Sequence, residues 1–504
     1  MTRLPLILAA ALAFAAQARA QTTRTQTPPT QTLKIATDLS PVGLDPHVAT
    51  AFSTVMIDSV IYEGLTAIDH SLRIVPALAQ SWTISPDGLT YDFRLRPGAT
   101  FQNGRRMTPA DVIASIARVR DPKTGSPYAS RFAVIASVTA TGPDAIRITL
   151  KQPSAPLLAQ LAVLAIAPPE AFATLQRKPV GTGPFGFREW VPDTDIALVR
   201  NPRYWAPGLP KLAGITFEIV PEAATRQLGL TSGSYAMLPA IDAATAQALM
   251  SAPGVTVQKS QDLAYSLVGL NVSRPPFDKP EVRQALNMAL DRSQIVQAAY
   301  FGQGAAGGPL SPALRQWALP TSAFPCYTHD PEAARALLRK SGLTLPVRAT
   351  LDVFGGIQQV VDVAQVVQAQ AKAGGFDFAL NVEEAGRFIQ DWKNSRFQGF
   401  VSLNSGGPDP DDYLGRTFAT GGASNVFQYS DPTTDALLDK ARTTSDAATR
   451  KTLYDTLQKR LACTGPVVHL VYGTLFSALR STVHGFHISP TRSLRSLRDT
   501  TVGK

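Results

Sequence analysis

The densest group of chemically capable side chains is Asp409-Pro410-Asp411-Asp412-Tyr413. Acids this close together suit acid–base work at a sugar or ligation of a hard cation. They also suit contact with a polar ligand, and a Pro-broken acidic loop equally makes a turn and a helix cap. Two strings have the GxGxxG spacing, Gly181-Thr182-Gly183-Pro184-Phe185-Gly186 and Gly302-Gln303-Gly304-Ala305-Ala306-Gly307. A dinucleotide site needs that turn to follow a strand and open a helix whose N-terminus faces the pyrophosphate. The first string holds Pro184 and runs into the strand-like Phe187–Trp190. The second follows a helical pattern and meets Pro309, so both read as turns. His484 and His487 form an HxxH, but on a strand-like segment residues three apart face opposite sides. The chain has six histidines, scattered rather than clustered as a zinc hydrolase requires. GxSxG, Walker and HExxH motifs are absent. The expectation is a protein that is not an enzyme, with no catalytic residues, no metal and no cofactor.

Cys326 and Cys463 are the only cysteines, and they do not have a CxxC-type metal or redox spacing. A disulfide between them and two buried free thiols are both open readings, because a bridge requires closely placed Cα atoms that sequence does not fix.

The elements that would position these residues alternate between β-like and α-like patterns. Thr32–Ala36 reads as the first strand, and Thr90–Arg96 alternates apolar and polar side chains as a half-wet strand should. Thr108-Pro109-Ala110-Asp111 starts a helix with Thr at the N-cap, Pro at N1 and an acid at the positive end. Asp330-Pro331 and Asp431-Pro432 open two more, ahead of apolar residues at helical spacing, and Asp291 with Gln294 resembles a capping box. Ala349–Val353 and Phe397–Leu403 read as strands between helices. The fold class is α/β, in several lobes.

The ends and the bulk charge narrow the class further. Arg3, the apolar stretch Leu4–Ala16 and Ala18-Arg19-Ala20 have the grammar of a cleaved secretory signal peptide, residues 1–20. No later segment has the length to cross about 30 Å of hydrocarbon as a helix. Residues 21–31, rich in Gln, Thr and Pro, read as a flexible N-terminal segment. The net charge of +10 is dispersed, with no run of five Lys/Arg, so nucleic acid is not an expected partner.

A series of short strings then carries a resemblance. Leu44-Asp45-Pro46, Tyr62-Glu63-Gly64-Leu65, Pro76–Trp82, Ser85–Gly88 and Phe101–Gly104 are followed by Val180–Phe185 and Asn201–Trp205. Pro276-Phe277, Val282–Ala285 and Asp291-Arg292 continue it. In this order the chain resembles the extracellular solute-binding proteins, family 5, of ABC importers, which include dipeptide, oligopeptide, glutathione and nickel binders. The resemblance implies a type II periplasmic-binding fold: two lobes joined by a two-strand hinge, with an extra domain inserted in lobe I. Residues 32–67, 180–270 and 477–504 would form lobe I, 68–179 the extra domain and 271–476 lobe II. It also implies a periplasmic monomer that captures a peptide-like or other small organic solute by hinge closure and hands it to an inner-membrane permease. A sensor or chaperone using the same fold is the alternative.

The usual peptide clamps are missing. Aligned on Asp409-Pro410, the amine-holding Asp of dipeptide binders becomes Gly406 and a Trp becomes Leu403. The carboxylate-holding Arg falls near Phe354-Gly355-Gly356, and the nickel-binding His has no counterpart between Gly406 and Asn425. The residues expected to line the cleft are Asp38, Ser40, Phe354, Asn404, Ser405, Asp409, Tyr413 and Asn425. Asp38 and Asp409 also fit turn caps, Tyr413 a core residue and Asn425 a loop tie.

Overall fold

The structure, a computed structural model, describes residues 31–503. The leader 1–20 and all but the last residue of segment 21–31 lie outside the described residues.

Two long strands organise the molecule. Val255–Leu270 and Val467–Arg480 pair antiparallel, from Val255 opposite Arg480 to Gly269 opposite Val467. On one side Val467–Arg480 continues the sheet through Met237–Ile241, Thr32–Thr37, Gly214–Ile219, Asp195–Arg200 and Phe185–Val191. On the other side Val255–Leu270 pairs with Gly399–Ser405, then come Val347–Phe354 and Phe376–Glu383. With Gly304–Ala306 added along Val467–Arg480, the sheet has 11 strands. Tyr265–Leu270 and Val467–Tyr472 are buried without alternation, as central strands covered on both faces are. At Gly473–Leu475 that cover is lost and the residues become half-exposed.

The pairing register breaks at the same level, between Gln261 and Tyr265. A break leaves backbone groups in need of partners. The Gln261 side-chain amide supplies two, donating to the carbonyls of Tyr472 (3.0 Å) and Gly473 (2.7 Å). Asp262 Oδ1 accepts from Ala264 N at 3.0 Å. One half of the sheet thus lies on each side of the break, giving the two α/β lobes that the sequence resemblance implies. In lobe I, Leu33, Ile35, Ile196, Ile215 and Phe217 pack against Ile57, Val60 and Ile61 of helix Phe52–Ile61. In lobe II, Leu351, Val353 and Val401 pack against helices Pro280–Ala289 and Gln358–Ala373.

A separate four-stranded antiparallel sheet, in the order Ala79–Ile84, Thr90–Leu95, Ala145–Leu150, Ile135–Gly142, has its own core. The alternation in Thr90–Leu95 buries Tyr91, Phe93 and Leu95. Helix Pro109–Arg120 closes that core with Val112, Ile116 and Val119, and it starts at the expected Thr108, whose amide and hydroxyl both donate to the Asp111 carboxylate (2.8 and 2.9 Å). Asp330 and Asp431 cap their helices through Ala333 N (2.9 Å) and Thr434 N (3.2 Å). Only half of the box at Asp291 forms: its carboxylate caps Ser293 N, while its own amide donates to Gln370 at 2.9 Å.

Cys326 and Cys463 are disulfide-bonded, with Cα atoms 5.6 Å apart, which settles the pairing left open by the sequence. The bond ties the turn Pro325–Tyr327 to helix Ala447–Thr464. The first glycine string is a close-packing device: a Cβ on Gly181 would lie 2.1 Å from the Ile61 carbonyl oxygen. The HxxH pair is split, with His484 in strand Val483–His484 and the His487 ring stacked on His70 at 5.2 Å.

Candidate functional site

Two cavities open between the lobes and share one dividing wall. Asp262, in the register break, accepts from Arg492 Nη2 at 2.6 Å, and the Arg492 guanidinium lies 4.5 Å from the centre of the Phe52 ring. Phe52, Asp262 and Arg492 line both cavities. The larger one, about 610 Å³, is faced by Leu39, Met56, Phe301, Phe476 and Ile488. Its carboxylates mostly have local partners: Asp242 caps Thr245 N (2.8 Å), Asp362 accepts from Gln358 (2.8 Å), and Asp262 is held by Arg492.

The smaller cavity, about 420 Å³, lies between helix Phe52–Ile61 of lobe I and the stretch Ser405–Asp412 of lobe II. Its polar groups are not all satisfied. Asp58 is 6% exposed, and neither carboxylate oxygen has a hydrogen-bond partner among the described residues. Burial, then repulsion from Asp45, pushes its carboxyl well above the usual range. Gln160 Oε1, in the same lining, is also buried without a partner. From lobe II comes Asp412, whose carboxyl is pushed up to about 6 by burial, against the pull of Arg131. Arg131 lines the cavity with its guanidinium 5.4 Å from the centre of the Tyr128 ring. Glu63, by contrast, is fully engaged: Arg495 (3.0 Å), Tyr204 (2.9 Å) and Trp205 (2.7 Å) all donate to it.

A model of the bacterial extracellular solute-binding proteins, family 5 (Middle) matches residues 73–425. The chain belongs to this family. It is 29% identical over 464 residues to the glutathione-binding protein GsiB of Escherichia coli O6:K15:H31, covering 89% of this chain and 90% of that one. The probable di/tripeptide-binding protein 5 of Pseudomonas aeruginosa is 28% identical over 505 residues, covering 91% and 93%. Among solved structures, the ABC transporter-associated periplasmic binding protein DppA from Helicobacter pylori, in complex with peptide STSA, superposes with a TM-score of 0.78. That match has 27% identity over 94% of this chain and 98% of the other.

Within this family-5 solute-binding protein, the eight sequence candidates part company. Ser405 lines the smaller cavity and the exposed Asp38 the larger one. Phe354 and Asn404 line a third hollow of about 180 Å³ in lobe II, where Phe354 meets the Phe388 ring edge-on. Asn404 also accepts from Arg416 at 2.8 Å. Ser40 lines none of these cavities; its hydroxyl accepts from Asp193 N at 3.3 Å.

Three expectations are corrected. Asp409 is buried in a two-pronged ion pair with Arg450 (2.9 and 2.7 Å) and caps Asp411 N, so it is a turn and core residue. Tyr413 is 1% exposed and donates to the Leu263 carbonyl at 2.8 Å from within the core. Asn425 ties its own loop, donating to Ala419 and Tyr429 carbonyls at 2.9 and 2.7 Å. The glycines beside them have a steric cause. A Cβ on Gly406 would lie 2.2 Å from the Tyr413 ring, and one on Gly407 2.2 Å from Asp412 Oδ2. Tyr413 and Asp412 therefore fill the space that side chains at 406 and 407 would need.

Asp58, Asp412, Arg131 and the Phe52–Arg492–Asp262 wall were missed as site residues. Asp58 had a readable signal, a lone carboxylate inside the apolar run Val55–Ile61. Asp412 stood in the acidic cluster, but nothing in its spacing set it apart from Asp409.

Proposed function

We propose that this chain is the periplasmic substrate-binding component of an ABC importer, capturing a peptide-like or other small organic solute between its lobes and delivering it to the membrane permease. The observation that carries this reading is the smaller interlobe cavity, whose lining brings polar groups from both lobes together, Asp58 and Glu63 from one and Ser405 and Asp412 from the other. A solute bridging the two linings favours the closed form because only there does it touch both. Closure also removes water from the polar contacts that select the solute. The lobes turn about the register break at Gln261–Tyr265, where the two long strands lose regular pairing. The leader 1–20 directs the chain to the periplasm, and no helix among the described residues is long and apolar enough to cross a membrane. The protein acts as a monomer and needs no catalytic group.

Native mass spectrometry of the chain purified from an export-competent host tests this. One intact organic compound held at about one per chain is the expected result. A bound compound that the protein converts on incubation would replace capture by catalysis.

A further inference from the structure

We infer that the wall of Phe52, Arg492 and Asp262 is a length stop: it holds the solute in the smaller interlobe cavity and keeps peptide-like chains longer than about three residues from threading into the larger one. The inference rests on the solute-capture reading and adds the size of what is captured.

The way the wall is held carries the argument. Its members come from three elements: helix Phe52–Ile61, the register break, and the C-terminal segment after strand Val483–His484. Arg492 is fixed at both ends. Its guanidinium donates to Asp262 Oδ2 at 2.6 Å and lies 4.5 Å from the centre of the Phe52 ring. Its backbone stands in the left-handed region, φ 60°, which a residue with a Cβ enters only at a cost. A turn closes behind it, with Arg492 N donating to the Ser489 carbonyl at 2.9 Å. Two residues on, Leu494 N donates to Ser59 Oγ at 2.9 Å, which ties the segment to the helix that carries Phe52. Asp262 is secured separately, since Ser311 Oγ donates to its carbonyl at 2.8 Å. A surface arginine needs none of this restraint, whereas a partition that must stay in place against a guest does.

Size sets the limit. A compact space of 420 Å³ is about 9 Å across, the reach of about three extended residues at ~3.3 Å each. The 610 Å³ of the larger cavity lie on the other side of the same three residues, so a chain that passed them would have more than twice the room. The wall acts by filling space, because the Arg492 charge is neutralised by Asp262. The Phe52 ring, 55% exposed, adds little to the core and leaves its surface to the cavities.

The test uses the chain without its leader and an equimolar pool of peptides two, three, five and eight residues long. Affinity-capture mass spectrometry reads the ratio of the two longer classes to the two shorter ones among the peptides retained. The wild type should retain the shorter classes and exclude the longer. Arg492→Gly removes the side chain and suits the left-handed backbone, so it should fold and raise the ratio about tenfold or more. Wild-type retention of the eight-residue class alongside the short ones, an unchanged ratio in Arg492→Gly, or retention of no peptide at all would overturn the length stop. A merely structural arginine would shift the urea midpoint without moving the ratio. Solute capture itself would still be decided by the co-purified compound. If Arg492→Gly does not fold, Phe52→Ala at its exposed position replaces it, with a rise of about threefold expected and an unchanged ratio counting against the proposal.

Discussion

Asp409 and Asp412 stand three residues apart in one acidic turn, yet they live in opposite electrostatic worlds. Asp409 points into lobe II, where Arg450 holds both its oxygens and Tyr454 and Trp317 surround the guanidinium. Asp412 lines the smaller cavity, as does Asp58, whose two oxygens are buried without a partner among the described residues. The first carboxylate is needed for folding and has no acceptor left for a guest. The second faces the cavity, with its carboxyl pushed up to about 6 by burial. A local cluster of acids is thus divided between structure and function by the direction in which the turn aims each residue.

Breaking the inner pair should have the largest effect. Asp409→Ala leaves Arg450 buried and uncompensated, so a loss of about 3–5 kcal/mol is expected in urea unfolding. A cost below about 1 kcal/mol would put Asp409 back among free carboxylates. Gly406→Ala comes next: its Cβ runs into the Tyr413 ring, and overpacking of this kind costs about 1–3 kcal/mol. Native-like stability would mean that the ring is not locked behind the cleft.

His469 sharpens the comparison, because it too is buried with both ring nitrogens unpartnered, yet it lines none of the cavities. Its neighbours are the rings of Tyr265 (5.2 Å) and Phe418 (6.2 Å). Burial, then the charge of Arg292, lowers its pKa to about 3 from an ordinary 6.5. The unfolded chain therefore takes the proton first. Stability from this group is complete above pH 6.5 and is lost as pH falls toward 3, by up to about 1.4 kcal/mol per unit. Urea midpoints at pH 7, 6 and 5 should show that slope, and His469→Gln should flatten it. The smallest effect is expected at the cleft: Asp58→Asn should leave stability unchanged or raise it by about 1 kcal/mol, since no native partner is lost. A large destabilisation would assign Asp58 to the fold.

Much of the local structure was legible in the sequence. The helices begun by Thr108, Asp330 and Asp431 were readable because caps and N1 prolines act over a single turn. The pairing of Val255–Leu270 with Val467–Arg480 was not, because those strands lie about 200 residues apart and no local pattern links them. The order of the family strings implied it instead. Of the residues expected at the cleft, Ser405 lines the smaller interlobe cavity and Asp38 the larger, whereas Phe354 and Asn404 line a separate hollow in lobe II. Asp409, Tyr413 and Asn425 have suitable chemistry for binding but are turned inward. Residue type reveals what a side chain is able to do, whereas its direction depends on neighbours such as Gly406 and Arg450.

The register break has one more consequence. A body placed on a rotation axis moves least when the parts on either side swing. Asp262 lies in that break and anchors Arg492, which covers Phe52. On the rotation proposed about this break, the partition between the two cavities sits at the axle and offers a guest nearly the same surface whether the protein is open or shut. Recognition that depends on closing is left to the linings that travel.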